Sequence, residues 1–280
     1  MRYVTFERDG RSRPGYIEGE RVVAIECASL VEFIALDPSK RSSRITDRSF
    51  ALNEVRLRAP VHPHKNIFCV GRNYLEHVKE GARVSGRDLK LPSVPTFFTK
   101  APTAIANPEQ TLEFSAAISH EYDWEAELAI VVGARIKNIN QDAALDAVFG
   151  YTCVNDITAR NLQREHLQWF KGKSLDNACP IGPWIVSADE IGNAQDLTIE
   201  LRLNGEPKQH SNTSQMIFTL PVLIAELAKG MTLEPGDVIA TGTPDGVGFA
   251  RTPPEFFADG DVVEVEIEKI GILRNRIAIA

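Results

Sequence analysis

The sequence predicts a β-dominated α+β protein, and three observations lead there. Short runs of β-branched and aromatic residues recur along the whole chain, separated by turns rich in Gly, Pro, Asn and Asp. Few segments carry helical spacing. The regular strand–helix alternation of a doubly wound sheet is missing.

Taken in order, Tyr3-Val4-Thr5-Phe6, Pro14-Gly15-Tyr16-Ile17 and Arg21-Val22-Val23-Ala24-Ile25 are short strand candidates, with turns at Asp9-Gly10 and Glu18-Gly19-Glu20. A helical pattern follows near Leu30 to Leu36, and the polar run from Pro38 to Arg48 reads as a loop. Pro60 and Pro63 mark a linker. Residues 1–60 therefore read as a small β-rich N-terminal domain, and 61–280 as the main domain.

Asn66-Ile67-Phe68-Cys69-Val70 is an apolar strand ending at Gly71. Tyr74 to Gly81 is polar and helix-compatible, and Ala82 to Pro95 suits a mobile loop, with a lid over Ala82 to Leu91. Trp124 to Val132 and Val148 to Val154 read as strands, and Ala159 to Trp169 as a helix. Leu197 to Asn204, Asp237 to Ala240 and Asp261 to Ile267 are further strands. A helix from Leu220 to Lys229 stops at Gly230, a natural C-cap.

Whole-chain properties narrow the function classes. With 280 residues there is room for one large core, or a main domain plus a small one. A net charge of −7 disfavours a nucleic-acid binder but leaves open a local pocket for an anionic small molecule. The apolar run Leu128 to Val132 is strand-sized, so no membrane span is expected. The N-terminus carries charges where a signal peptide needs apolar residues. The four cysteines form no Cys-x-x-Cys pair, and are read as reduced thiols in a cytoplasmic protein.

A strand through Trp124-Glu125-Ala126-Glu127-Leu128 puts Glu125 and Glu127 on one face, with Ala126, Leu128, Ile130 and Val132 entering the core on the other. Alternate Glu residues suit a solvent-facing strand edge. They equally suit a bound cation, which relieves the repulsion between them. Asp156, at the end of the run from Tyr151, is either a helix cap or a third oxygen ligand. Three carboxylates without nearby Cys or His favour Mg²⁺, Mn²⁺ or Ca²⁺ over Zn²⁺, and leave coordination positions open for substrate.

His77 and Glu80, at i and i+3, share a face if their segment is helical, and Glu80 then orients the imidazole. A surface His–Glu pair has the same spacing. Lys171-Gly172-Lys173-Ser174 lacks the spaced glycines of a phosphate loop, yet a lysine there can counter an enolate or carboxylate charge. In Ala240-Thr241-Gly242-Thr243-Pro244-Asp245-Gly246-Val247-Gly248, amides and the Thr243 hydroxyl can grip a carboxylate.

Together these segments resemble the fumarylacetoacetate hydrolase family, in particular its acylpyruvase-like branch. The matching residues are Gly71-Arg72-Asn73-Tyr74 with His77 and Glu80, Glu125-x-Glu127-Leu128, Asn155-Asp156-Ile157-Thr158-Ala159-Arg160, Lys171-Gly172-Lys173-Ser174 with Cys179-Pro180, Asn204-Gly205, and the Thr241 to Gly248 turn. The likeness runs from about Asn66 to the C-terminus. Residues 1–60 are similar, more weakly, to the small N-terminal domain of longer members.

The resemblance implies mixed, partly rolled sheets in a homodimer, with Mg²⁺ or Mn²⁺ on Glu125, Glu127 and Asp156 and Ca²⁺ as a substitute. It implies His77 and Glu80 as a dyad on a lid, Lys173 as the enolate's charge partner, and Arg72, Tyr74, Arg160, Gln163 and Thr243 as substrate-binding groups. The expected reaction is hydrolysis of a C–C bond in a 2,4-dioxo acid, releasing pyruvate. Oxaloacetate decarboxylation, double-bond isomerisation or hydration, and hydrolysis of a diketo-deoxy sugar acid are alternatives on the same chemistry. A non-catalytic oxo-acid-binding module is the competitor from another class. Specificity is expected to rest on the lid and on Phe97, Leu167 and Trp169.

Overall fold

The computed structural model describes residues 1–86 and 88–280. Two sheets organise it. The larger has twelve strands, and its main path runs from the N-terminal hairpins (Ile45–Ala51, Arg21–Ile25, Arg11–Glu18, Arg2–Arg8) through Cys179–Ser187, Val148–Asn155 and Ala126–Val132 to Val238–Ala240, Ile67–Gly71 and Thr96–Lys100. Most pairs are antiparallel, but Val238–Ala240 runs parallel to Ile67–Gly71, so the sheet is mixed. The smaller sheet orders Glu206–Asn212, Thr198–Leu203, Val262–Ile267, Gly271–Ile279 and Thr111–Phe114. The α+β class is as the sequence predicts.

Residues 1–60 join the large sheet through their first strand. Arg2 and Tyr3 pair with Val186 and Ile185, which makes the N-terminal hairpins a continuation of the large sheet.

The Ala126–Val132 strand lies at the heart of the molecule and is buried along its whole length. Ala126, Leu128, Ile130 and Val132 enter the largest apolar cluster, which they share with Ile199, Leu201, Val263 and Val265 of the smaller sheet. Ala129 and Val131, on the opposite face, join a second cluster with Leu30, Phe33 and Ile34 of the Leu30–Ala35 helix. A strand with both faces covered has no solvent edge. The carboxylates at its start are consequently buried, and the solvent-edge reading of Glu125 and Glu127 falls.

Three local expectations change. Within the run Pro38 to Arg48, residues Pro38–Arg41 form a helical turn whose N-cap Asp37 accepts from the Ser39 amide, and Ile45–Ala51 form a strand. The helix after Tyr74 runs from Leu75 to Ser85 and stops at Gly86, which takes the left-handed conformation that halts helices. Of the expected lid, Ala82 to Ser85 is thus helical, and Arg87 lies outside the described residues. The helix expected from Ala159 to Trp169 is shortened to Arg160–Glu165, and a second short helix, Phe170–Lys173, begins only after that span. His166 turns extended between the two, and Leu167 is 99% exposed, so that stretch has no apolar face to bury.

Candidate active site

Four strand ends converge on one cluster of charged groups. Glu125 immediately precedes the Ala126–Val132 strand, and Glu127 lies within it. Asp156 follows the Val148–Asn155 strand, held where the Asp156 amide donates to the Glu125 carbonyl at 2.9 Å. Lys100 closes Thr96–Lys100, and the Thr241 to Gly248 turn leaves Val238–Ala240. Ligand oxygens of Glu125, Glu127 and Asp156 all lie within 4.8 Å of one another, and all three residues are buried. Carboxylates gathered this closely inside a protein need cations beside them or must take up protons.

Those cations are partly the protein's own. Lys173 Nζ donates to Glu125 Oε2 at 2.8 Å and to Asp156 Oδ2 at 2.7 Å. Lys100 Nζ donates to Asp156 Oδ1 at 2.6 Å. Arg160 Nη2 is 2.8 Å from Glu125 Oε1, and its Nε donates to Asp123 Oδ2 at 2.7 Å. Burial works to raise the Glu125 carboxyl, but Lys173, Arg160 and His77 outweigh it and hold the group at about 2.

Glu127 is different. Its Oε2 accepts from the Gly242 amide at 2.8 Å, and no ion pair reaches it among the described residues. Burial, then Asp156 and Glu125, push its carboxyl well above the usual range.

Among the described residues, Asp123, Glu125 and Asp156 form ion pairs with Lys100, Arg160 and Lys173, and Glu127 forms none. This donor set, all oxygen with one uncompensated carboxylate, fits a divalent hard cation. Such an ion would turn the cluster net positive, matching an anionic substrate.

The cluster opens into a cavity of about 740 Å³. Arg72, His77, Glu125, Glu127, Arg160, Gln163, Lys173 and Thr243 line it, with Phe98, Trp169 and Phe249 supplying apolar walls. His77 Nδ1 lies 2.8 Å from Glu80 Oε1, while Glu80 Oε2 accepts from the Gly246 amide at 3.0 Å. A carboxylate accepting on both oxygens assigns the imidazole proton to Nδ1, which leaves the Nε2 lone pair for the cavity. Thr243 Oγ1 accepts from Gln209 Nε2 at 2.8 Å, so its own proton is free to donate.

Most of the predicted residues therefore meet, with three corrections. Tyr74 does not line the cavity: a bridge to Met216 turns it into the largest apolar cluster, where its buried hydroxyl has no hydrogen-bond partner among the described residues. Phe98 rather than Phe97 faces the site, because alternation along Thr96–Lys100 puts Phe98 on the side of Lys100. Leu167 points to solvent.

Three buried polar residues escaped the sequence reading. For Asp123 a signal existed, since Asp123, Glu125 and Glu127 extend one alternating acidic series. Lys100 showed only as a basic residue closing an apolar strand. Gln209, which also accepts from the Ala126 amide at 2.9 Å, carried no local signal.

Comparison with known proteins gives the family and the fold. Residues 66–278 match the family model described as fumarylacetoacetate (FAA) hydrolase C-terminal, and residues 1–60 match that described as Rv2993c-like, N-terminal. The chain is 43% identical over 261 residues to the oxaloacetate tautomerase YisK of Bacillus subtilis, spanning 93% of this chain and 84% of that one. Among solved structures, it is 40% identical to a fumarylacetoacetate hydrolase from Exiguobacterium antarcticum, with a TM-score of 0.87 over the full length of both. A 2-hydroxyhepta-2,4-diene-1,7-dioate isomerase from Mycobacterium marinum is 33% identical, with a TM-score of 0.82 over 100% of this chain and 98% of that one. The chain belongs to the fumarylacetoacetate hydrolase family.

Proposed function

We propose that this protein moves a proton between carbon and oxygen of a 2-oxo dicarboxylic acid, acting as a keto–enol tautomerase of the oxaloacetate type. The observation that carries this reading is the His77–Glu80 pair on the wall of a cavity whose floor is a cation-seeking carboxylate cluster. The likeness to proteins named as an oxaloacetate tautomerase and a dienedioate isomerase supports it.

A divalent ion held by Glu125, Glu127 and Asp156 would supply the positive charge that makes an enolate easier to reach. The remaining work falls to side chains. Thr243 donates its hydroxyl proton to a carboxylate of the oxo acid, and Arg72 and Gln163 provide further donors on the cavity wall. His77 Nε2 takes a proton at the carbon next to the carbonyl, or returns it, while Glu80 steadies the imidazolium through Nδ1. Lys173, fixed between Glu125 and Asp156, offers its charge to the developing oxyanion. Phe98, Trp169 and Phe249 keep bulk water from the enolate.

A second reading, hydrolysis of a 2,4-dioxo acid, is favoured by the full-length likeness to a fumarylacetoacetate hydrolase. There His77 would take its proton from an attacking water instead.

The two readings part in one experiment. Enol oxaloacetate, monitored by loss of its ultraviolet absorbance, and a panel of acylpyruvates, monitored by pyruvate release, are offered to the Mg²⁺-loaded protein. Catalysed ketonisation that His77→Asn reduces by on the order of 10²-fold or more is expected. Pyruvate release from acylpyruvates with no acceleration of ketonisation would replace this proposal by the hydrolase reading.

A further inference from the structure

Asp123 has no part in the chemistry above, yet it is completely buried beside it. It stands on the two-residue strand Tyr122–Asp123, paired with Thr158 across from it. Its Oδ1 accepts from the Trp124 amide at 2.8 Å and the Gly248 amide at 2.6 Å. Its Oδ2 accepts from the Phe249 amide at 3.1 Å and from Arg160 Nε at 2.7 Å. Four donors fill the capacity of one carboxylate, so Asp123 has no lone pair left to serve as a further metal ligand.

Three of these bonds, those from Gly248, Phe249 and Arg160, tie two walls of the cavity together. One wall is the Arg160–Glu165 helix and the other is the turn ending at Phe249. Where they meet, the Phe249 ring lies over the Arg160 guanidinium at 4.5 Å. The approach is tight enough that a Cβ on Gly248 would stand 2.6 Å from Asp123 Oδ1 and 2.0 Å from the Glu255 carbonyl oxygen, so only glycine fits. Arg160 carries the effect onward: Nη1 donates to Gln163 Oε1 at 3.1 Å, and Nη2 sits 2.8 Å from Glu125 Oε1. Arg160 thus has Nε and Nη1 bonded inside the protein, while Nη2, which makes no hydrogen bond among the described residues, lies against Glu125.

We propose that Asp123 is a positioning residue: through Arg160 it sets the orientation of Glu125 and Gln163, and through the Gly248 and Phe249 amides it sets the wall above them. Partners of a ligand's own partner act in this way, fixing donor orientation and so affinity. The inference rests on the reading of Glu125 as a metal ligand, and its test separates the two.

The test is a double-mutant cycle on Mn²⁺ affinity, measured by calorimetry on the full chain, with thermal unfolding in chelator beside it. The variants are Asp123→Asn, Arg160→Gln and both together. Asp123→Asn keeps the shape but presents a donor to Arg160 and Phe249, and Mn²⁺ binding is expected to weaken about 10–100-fold. If Asp123 acts through Arg160, adding Asp123→Asn to Arg160→Gln changes affinity by no more than about twofold. Losses that multiply, or an Asp123→Asn protein with wild-type affinity, overturn the inference. Should Asp123→Asn alone not fold, the charge-free double variant is compared with Arg160→Gln, and a further tenfold loss is the overturning result. Glu125→Gln is measured in parallel: wild-type Mn²⁺ affinity there would sink the reading of Glu125 itself.

Discussion

Lys100 Nζ lies 2.6 Å from Asp156 Oδ1, and neither side chain has any exposed surface. With Lys173 on the other carboxylate oxygen, Asp156 is gripped from both sides before any metal or substrate arrives. This is preorganisation achieved with buried charge, and buried charge is sensitive to the loss of one partner.

Lys100→Met should therefore destabilise the protein by about 3–5 kcal/mol, the usual cost of leaving a buried ion without its mate. Urea unfolding checks this: the midpoint should fall at an unchanged slope, because the surface exposed on unfolding stays the same. A midpoint within error of wild type would mean that Lys173 alone satisfies Asp156.

Glu127→Gln should separate stability from activity. Glu127 has no ion-pair partner among the described residues, and burial, Asp156 and Glu125 all disfavour its charged form, so replacing the carboxyl by an amide removes that cost. In chelator the variant should be more stable than wild type by about 1 kcal/mol or more. With Mg²⁺ present it should lose on the order of 10²–10³ in rate. Melting curves in EDTA and in Mg²⁺, alongside turnover, test both halves. A variant destabilised in EDTA would show that Glu127 carries no surplus charge.

The wall formed by Trp169 depends on the absence of a side chain at Gly71. A Cβ there would meet Trp169 Cζ3 at 2.4 Å. Gly71→Ala should cost about 1–3 kcal/mol through overpacking and raise KM as the indole is pushed into the cavity. Trp169→Phe in the same chain should restore part of the stability, since the smaller ring vacates the contact. Melting temperatures of the two single variants and the double provide the check, and a double variant no better than Gly71→Ala would refute the contact.

The thiols should titrate in two classes. Cys69, Cys153 and Cys179 are buried, and burial raises all three, Cys179 to about 12. A raised thiol yields little thiolate below that value, so these groups should stay inert toward a chromogenic disulfide at pH 8. Cys27 is partly exposed and only modestly raised by burial and Glu32. One thiol is expected to react in the native protein and four in denaturant, with the slow class still slow at pH 9.

The sequence by itself determined the class of fold and the family to which the chain belongs. Alternation in Trp124 to Val132 placed Glu125 and Glu127 on one face and Ala126, Leu128, Ile130 and Val132 on the other, because side chains in a strand point to opposite sides. The spacing of His77 and Glu80 was enough to pair them once their segment was read as helical, and a 2.8 Å contact bears that out. Local periodicity reached no further. Whether the Glu pair met water or an interior depended on the smaller sheet and the Leu30–Ala35 helix covering both faces of one strand, a fact about elements remote in the chain.

The same limit explains what was missed. Lys100 and Asp156 are separated by 56 residues, and Gln209 reaches Thr243 across 34. Neither link leaves a trace in the pattern around either partner. Tyr74 and Leu167 lie off the cavity wall for the converse reason. Their neighbours in sequence belong to the site, but packing turned one into the core and the other into solvent. Residue chemistry and spacing thus determined which groups the site could use. Only the tertiary structure decided which of them are buried together, because burial sets the cost of each charge and so the partner it must have.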